Sequence, residues 1–228
     1  MRYDHLLFDL DGTLSDPKEG ITRSVQYALK HFGIEVEDLD TLEPFIGPPL
    51  QDSFRDFYNF SPEKADEACD QYHDYFIREG WYQNELYPDI IPLLDDLRSA
   101  GATLYVATSK PEPLAKRILK HFGIDNRFKY IAGDTMERTR SAKSDVLRHL
   151  LQFAHITDKN SCAMIGDRRF DIEGASSVGI SSIGILYGYG DAPELIHAGA
   201  THIVSSIEAL RNFLLAEGAT LDFFKPEH

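Results

Sequence analysis

The hydrophobic pattern of the first 85 residues predicts one strand followed by helices. A short apolar run at residues 5–10 is typical of a buried strand, and Asp11-Gly12 ends it in a turn. Apolar positions then recur at helical spacing over residues 21–32 and again over residues 65–76. Between these two amphipathic helices, Gly47-Pro48-Pro49 forces a turn.

Both helices carry recognisable start signals. Asp16 is the expected N-cap of the first helix, with Pro17 at the first helical position and Glu19 three residues after the cap. Ser61-Pro62-Glu63 opens the second helix in the same way, and Gly80 is its expected C-cap.

From residue 88 onward, helical and strand patterns alternate strictly. A helix that starts near residue 90 ends before Gly101. Alternation of this kind implies right-handed crossovers and a parallel sheet covered on both faces, so we predict an α/β fold with a doubly wound, mostly parallel sheet. The further strands are expected at 103–107, 130–132, 162–165, 182–186 and 202–204, with helices around 112–122, 144–153, 171–178, 192–198 and 206–216.

The helical stretch separates the first strand from its sister strands. This arrangement predicts two domains: an α/β core of residues 1–14 and 85–228, and an all-helical domain of residues 15–84 inserted after the first strand.

Composition and charge narrow the possible partners. Of 228 residues, 43% are hydrophobic and 26% charged, which is typical of a globular protein with a sizeable core. The net charge of −14 argues against nucleic acid polymers and anionic membrane surfaces as partners.

The chain has no run of 18 apolar residues and no signal-peptide pattern. Two cysteines, Cys69 and Cys162, make neither a disulfide framework nor a four-ligand zinc site, so we expect a reducing, cytoplasmic setting. The oligomeric state stays open.

Carboxylates follow two of the predicted strands. Asp9 and Asp11 end the first strand, and Asp167 and Asp171 follow the strand at 162–165. Parallel sheets bind ligands at the carboxyl ends of their strands, so these side chains are expected to converge. Their mutual repulsion needs a hard cation, and carboxylate oxygens suit Mg²⁺.

Hydroxyl and ammonium groups at the same edge would complete a phosphate site. Thr108, Lys110 and Lys143, together with Mg²⁺, would make a locally positive cradle for a phosphoryl group. Asp9 could then attack phosphorus, while Asp11 protonates the leaving alkoxide and later deprotonates water. Two alternatives stay open, because Lys110 could take the place of Lys143 and Asp171 could serve only as a helix cap.

These motifs resemble a known family. DLDGTL at 9–14, Thr108, Lys143 and GDRRFD at 166–171 are similar, in order, to the four motifs of haloacid-dehalogenase-superfamily phosphatases. The insertion resembles that family's C1 helical cap. FIGPPLQDSF at 45–54 and LYVATSKPE at 104–112 are most similar to the phosphoglycolate-phosphatase group, particularly its 5′-nucleotidase-like branch.

The resemblance assigns roles to individual residues. It implies that Asp9 is the nucleophile, Asp11 the acid/base, Thr108 a phosphate donor and Lys143 the charge stabiliser. It also implies Mg²⁺ as cofactor, held by Asp9, the backbone carbonyl of Asp11 and Asp167, with Asp171 in support. The candidate substrate-binding residues are Gly12, Ser109, Lys110, Gly47 and Arg55.

The sequence departs from the family pattern at two positions. Ser109 follows Thr108 where Asn is usual, and Ser144 follows Lys143 where Pro is common. Neither change removes a group that the chemistry requires, and the presence of Asp11 disfavours the dehalogenase branch.

The predicted function is hydrolysis of a small soluble phosphate ester through an aspartyl-phosphate. Phosphoglycolate, a nucleoside 5′-monophosphate, pyrophosphate and sugar phosphates all remain possible substrates. Two alternatives are kept: a phosphomutase acting on a sugar phosphate, and a receiver-like signalling module that holds a phosphoryl group on aspartate.

Overall fold

The structure is a computed structural model, and it describes residues 1–216. The final residues of the predicted core, 217–228, lie outside the described part of the chain. The strands are β1 (His5–Phe8), β2 (Ser15–Asp16), β3 (Glu85–Leu86), β4 (Thr103–Pro111), β5 (Tyr130–Asp134), β6 (Cys162–Gly166), β7 (Ser181–Ile185) and β8 (His202–Val204). The α-helices are α1 (Lys18–His31), α2 (Leu50–Tyr58), α3 (Pro62–Tyr75), α4 (Ile90–Ser99), α5 (Glu112–His121), α6 (Lys143–Phe153), α7 (Arg169–Val178), α8 (Ala192–His197) and α9 (Ile207–Leu215).

Six of the strands form one parallel sheet in the order β5-β4-β1-β6-β7-β8. β1 lies in the middle, with His5 opposite Thr103 of β4 on one side and Cys162 of β6 on the other. The chain runs outward from β1 to one edge and then returns to build the other half, so the sheet is doubly wound. The predicted α/β fold class is confirmed.

The core of the sheet is apolar because its strands are covered by helices. Leu7, Tyr105 and Met164, on three neighbouring strands, are fully buried in one cluster with apolar residues of α6 and α7. Burial of this kind on both faces explains why the strand sequences are nearly continuous apolar runs rather than alternating ones.

The described chain separates into two compact units. One consists of Met1–Leu14 and the chain from Leu86 onward, and the other of Ser15–Glu85. The second unit contains α1, α2 and α3, a 3-10 helix at Leu39–Phe45 and a π-helical turn at Phe76–Gly80. The assignment of this unit as a C1 cap stays a prediction.

The sequence predicts an all-helical insertion, and this prediction is wrong at its two ends. Two-residue strands β2 and β3 pair with each other where the chain enters and leaves the second unit. They are too short to produce a recognisable hydrophobic alternation.

The structure corrects two helix signals and confirms one. Ser61 caps α3 as predicted, accepting a hydrogen bond from the Lys64 amide. Asp16 is not the N-cap of α1, because it belongs to β2 and accepts from the Lys18 amide instead. Gly80 ends the π-helical turn rather than α3. A Cβ on Gly20 would lie 2.1 Å from the carbonyl oxygen of Gly80, so the two glycines allow close backbone packing.

Within the described residues, no helix has both the length and the apolar character needed to span a membrane.

Candidate active site

The predicted site residues meet at the carboxyl edge of the sheet, around β1. Asp9 comes directly after β1, Thr108 lies near the end of β4, and Asp167 comes directly after β6. Lys143 is the first residue of α6, and Asp171 lies in the first turn of α7. Since β4 and β6 flank β1 and the strand order reverses there, this is the switch point at which doubly wound sheets bind ligands.

Lys143 is the charged centre of the site. Its side chain is 3% exposed, and its Nζ lies 2.9 Å from Asp9 Oδ1 and 2.8 Å from Asp171 Oδ1. Nζ also donates a 2.9 Å hydrogen bond to the carbonyl oxygen of Ala107. Burial alone would lower the pKa of Lys143, but the charges of Asp171 and Asp9 raise it above its ordinary value. The ammonium group therefore stays charged between two carboxylates.

Lys110 has a different partner. Its Nζ lies 2.9 Å from Asp11 Oδ2, and both side chains are largely buried. Burial raises the pKa of Asp11, which the charge of Lys110 partly offsets. The other oxygen, Asp11 Oδ1, is buried without a hydrogen-bond partner among residues 1–216. Lys143 thus pairs with Asp9 and Asp171, and Lys110 pairs with Asp11. Which lysine stabilises charge stays a prediction, and these partners favour Lys143.

Three carboxylates form a cluster that fits a metal ion. Asp9, Asp167 and Asp171 each offer an oxygen, and the three oxygens lie within 4.8 Å of one another. Burial, followed by the charges of Asp171 and Asp9, raises the pKa of Asp167 to about 8. Burial also raises the pKa of Asp171, to about 6, against the opposing effect of Lys143. Such crowding of buried carboxylates is relieved by a hard divalent cation, so the donor set fits Mg²⁺.

Glycines make room for these carboxylates. Gly12 has a φ of +77°, and a Cβ there would lie 2.2 Å from Asp167 Oδ2. A Cβ on Gly166 would lie 2.2 Å from the carboxylate carbon of Asp171. Gly12, which the sequence suggested for substrate binding, therefore packs directly against a candidate metal ligand.

Thr108, near the end of β4, is the predicted phosphate donor. It is buried, and its Oγ1 accepts a 3.2 Å hydrogen bond from the Lys110 amide, an arrangement in which its own O–H can donate to a ligand. The pairing of β4 with β5 shifts register between Ala107 and Pro111, and irregularities of this kind re-aim side chains at sites. Ser109 is half-buried in the same segment.

The two candidate substrate residues of the insertion belong to the second unit. Arg55 is a half-exposed residue of α2, 3.9 Å from Asp52. Gly47 has a φ of +104°, which explains the glycine in the turn before α2. Their contact with substrate stays a prediction.

The segment 187–190, after β7, also contacts the site, and the sequence reasoning missed it. The Tyr189 amide donates a 2.8 Å hydrogen bond to Asp167 Oδ2. The available signal was the Tyr-Gly-Tyr-Gly repeat after a predicted strand, where parallel sheets place functional loops.

A doubly wound α/β sheet with a buried lysine between clustered carboxylates at its carboxyl edge is suited to phosphoryl transfer. The sequence profile of the haloacid dehalogenase-like hydrolase family matches residues 6–185 of this chain. A 5′-nucleotidase of Pseudomonas aeruginosa is 46% identical over 214 residues, which are 94% of this chain and 96% of that protein. The tyrosine-protein kinase PtkA of Mycobacterium tuberculosis is 41% identical over 213 residues, 92% of this chain and 72% of the relative.

Solved structures also relate this chain to phosphatases. The crystal structure of a predicted phosphatase from Clostridium acetobutylicum has a TM-score of 0.91 and 45% identity, covering 94% of this chain and 99% of that one. The expected likeness to phosphoglycolate phosphatases is also present, at 31% identity over 196 residues in that of Agrobacterium fabrum, 82% of each chain. The chain belongs to the haloacid dehalogenase-like hydrolase family and is a hydrolase of the phosphatase type, acting on phosphate esters.

Proposed function

We propose that this protein is a Mg²⁺-dependent phosphomonoesterase that hydrolyses a small organic phosphate through an aspartyl-phosphate on Asp9. The observation that carries the proposal is the buried Lys143 ammonium, which forms ion pairs with both Asp9 and Asp171 beside Asp167. Nucleoside 5′-monophosphates are the first substrate class, because the relative from Pseudomonas aeruginosa is named a 5′-nucleotidase. Phosphoglycolate is the second. A cytoplasmic setting goes with this proposal and stays a prediction.

In the first half-reaction, a carboxylate oxygen of Asp9 attacks phosphorus. An O–P bond to Asp9 forms as the ester P–O bond breaks, and Asp11 gives its proton to the departing alkoxide. The raised pKa of Asp11 favours the protonated form that this step needs. In the second half-reaction, Asp11 takes a proton from water, the water oxygen attacks phosphorus, and the bond to Asp9 breaks to release phosphate.

The remaining groups bind and balance charge. Lys143 offsets the negative charge of Asp9 and of the transferred phosphoryl group, and the Thr108 hydroxyl donates to a phosphate oxygen. Asp9, Asp167 and Asp171, with the backbone carbonyl of Asp11, would hold Mg²⁺, which when bound supplies positive charge to the phosphate oxygens.

A panel of phosphate esters tests the proposal. Purified protein is assayed for phosphate release from UMP, AMP, phosphoglycolate and pyrophosphate, with and without Mg²⁺. Turnover is expected only with Mg²⁺, and Asp9→Asn should abolish it without changing the circular dichroism spectrum. In Asp11→Asn the phosphoenzyme should form slowly and persist, because the base for water is lost. Substantial turnover by Asp9→Asn, or wild-type hydrolysis by Asp11→Asn, would overturn the mechanism.

Two other arms of the same experiment address the alternatives. A hexose phosphate that is converted to an isomer, without phosphate release, would indicate a phosphomutase. Because one relative is named a tyrosine-protein kinase, ATP with a tyrosine peptide is included as well. Stable, stoichiometric phosphorylation of the protein without turnover would support the alternative of a receiver-like signalling module. The Asp9–Asp11 pair after the first strand disfavours that alternative.

A further inference from the structure

We infer that the segment 187–190 is a positioning element that fixes the carboxylate of Asp167 for metal binding. The inference rests on the proposed function, in that Asp167 is taken as a ligand of the metal. It adds Tyr187, Gly188 and the Tyr189 amide to the residues on which the site depends.

Both oxygens of Asp167 are held by donors from outside its own helix and strand. Thr13 Oγ1 donates to Asp167 Oδ1 over 3.3 Å, and the Tyr189 amide donates to Asp167 Oδ2 over 2.8 Å. The residue is only 1% exposed, so bulk water does not compete for these bonds. Two donors on opposite oxygens fix the plane of the carboxylate and leave a further lone pair on each oxygen for a ligand.

The two donors are themselves connected. The Tyr187 hydroxyl donates a 3.1 Å hydrogen bond to the carbonyl oxygen of Thr13. The Tyr187 ring is held edge-on against Tyr87, with ring centroids 5.2 Å apart and planes at 74°. These hydrogen bonds, together with the backbone of residues 187–189, form a closed circuit through Thr13, Asp167, Tyr189 and Tyr187. The circuit joins the turn after β1 to the segments after β6 and β7.

The backbone of this segment lies directly against Gly12 and Asp167, in the turns that follow β1 and β6. A Cβ on Gly188 would lie 2.3 Å from the carbonyl oxygen of Gly12 and 2.4 Å from the Cβ of Asp167. A Cβ on Gly190 would lie 1.8 Å from the carbonyl oxygen of Asp167. Any side chain at either position would push these backbones apart, so the alternation of tyrosine and glycine is what permits the circuit to close.

Direct measurement of Mg²⁺ binding tests the inference. The full chain is titrated with Mg²⁺ by calorimetry as wild type, Gly188→Ala and Tyr187→Phe. We expect the Kd for Mg²⁺ to rise by about 10- to 100-fold in Gly188→Ala, the effect typical of losing partners that orient metal ligands. Tyr187→Phe keeps the ring packing and loses only the bond to Thr13, so we expect a smaller rise of about fivefold, since a hydrogen bond contributes on the order of 1 kcal/mol.

Gly199→Ala is the matched control. Gly199 has a φ of +83° and open space where a Cβ would lie, so this variant has the backbone strain of a glycine substitution without touching the site. It should lower thermal stability and keep the wild-type Kd. Turnover of Tyr187→Phe should recover at high Mg²⁺, because the tyrosine positions a ligand and does not react.

The outcomes separate this inference from the proposed function. Wild-type Kd values in both Gly188→Ala and Tyr187→Phe would overturn the inference even if the enzyme hydrolyses phosphate esters. Failure of the wild type to bind Mg²⁺ would overturn it as well. Binding that weakens in both variants, in a protein that releases no phosphate, would support the inference and defeat the proposed hydrolysis. If Gly188→Ala does not fold, Tyr187→Phe decides between these results.

Discussion

Two buried lysines divide the carboxylates of the site between them. Lys143 bridges Asp9 and Asp171, whereas Lys110 is bonded to Asp11, the proposed acid/base. In the sequence both residues are simply lysines near predicted strand or helix ends, so either could have been the charge stabiliser. The structure distinguishes them by the partner of each ammonium group. We therefore expect Lys110 to act on the proposed proton donor, Asp11.

This division predicts a particular defect in Lys110→Met. Without its partner, Asp11 should be poorly held for protonating the leaving alkoxide, and general acid catalysis contributes about 10²- to 10⁴-fold. An alkyl phosphate needs that proton, while p-nitrophenyl phosphate has a good leaving group and does not. We expect kcat/KM to fall at least about tenfold more for phosphoglycolate than for p-nitrophenyl phosphate.

Lys110→Arg and Lys116→Met serve as comparisons for this prediction. The arginine retains a positive donor and should recover part of the acid catalysis. Lys116 pairs on the surface with Glu112, so its loss should affect neither ester. Equal losses for the two esters in Lys110→Met, seen mainly in KM, would instead indicate that Lys110 binds the phosphate.

At the scale of elements, the sequence predicts the six strands of the main sheet because they are buried and apolar, although β4 runs four residues beyond the predicted end and β2 and β3 were not predicted. β8 has the predicted bounds, and β6 extends the prediction by a single residue. The sequence does not separate α2 and the 3-10 helix Leu39–Phe45 from the rest of the insertion, because both are short. Asp9 and Asp167 could be placed together because parallel strands end at one edge. The contact of Tyr189 with Asp167 could not, because it depends on how a loop folds back.

The loop that leads into Lys143 is another element that the sequence left unplaced. Asp134, at the end of β5, accepts hydrogen bonds from the amides of Thr135 and Arg140 and from the Ser141 hydroxyl. The Arg140 side chain donates to the carbonyl oxygen of Gly133 over 2.8 Å and to Glu112 over 3.1 Å. These bonds attach the loop to β5 and to the start of α5, and so hold the first turn of α6 in place.

Arg140→Met should therefore destabilise the core unit. Its side chain is 17% exposed, and its guanidinium makes charge-assisted hydrogen bonds, whose loss typically costs about 1.5–3 kcal/mol. Urea unfolding followed by circular dichroism measures the change. Arg148→Met is the control, because Arg148 pairs with Asp145 on the exposed face of α6 and should cost about 1 kcal/mol or less. Equal unfolding midpoints for the two variants would show that the loop is not anchored through Arg140.

At the scale of the whole molecule, the net charge and the carboxylates of the site both oppose an anionic ligand. The net charge is −14, and four aspartates are concentrated at the position where a phosphate is proposed to bind. The sequence could indicate that a cation must reverse the sign, because clustered carboxylates repel one another. The sequence could not show how strong the repulsion between the carboxylates is, because that depends on how deeply Asp167 and Asp171 are buried.

The burial of these carboxylates predicts how stability depends on pH and Mg²⁺. The pKa of Asp167 rises from 3.8 in the unfolded chain to about 8, so between these values the metal-free folded state holds a proton that the unfolded state has lost. Stability from this group is therefore present in full below pH 4 and is lost as the pH rises to 8. Asp171, with a pKa of about 6, acts in the same direction. Three histidines whose pKa burial lowers, His5, His149 and His202, act in the opposite direction.

The test is therefore a difference between wild type and Asp167→Asn in the absence of divalent ions. From pH 5 to pH 8, wild type should lose stability relative to the variant by up to about 1.4 kcal/mol per pH unit, measured by urea unfolding. Mg²⁺ competes with the proton, so its stabilisation of wild type should grow with pH over the same range and be absent in Asp167→Asn. Glu173→Gln, a change at an exposed position of α7, should behave as wild type. Parallel stability curves for wild type and Asp167→Asn would mean that Asp167 is ionised without a metal, and that another charge in the folded protein already compensates it.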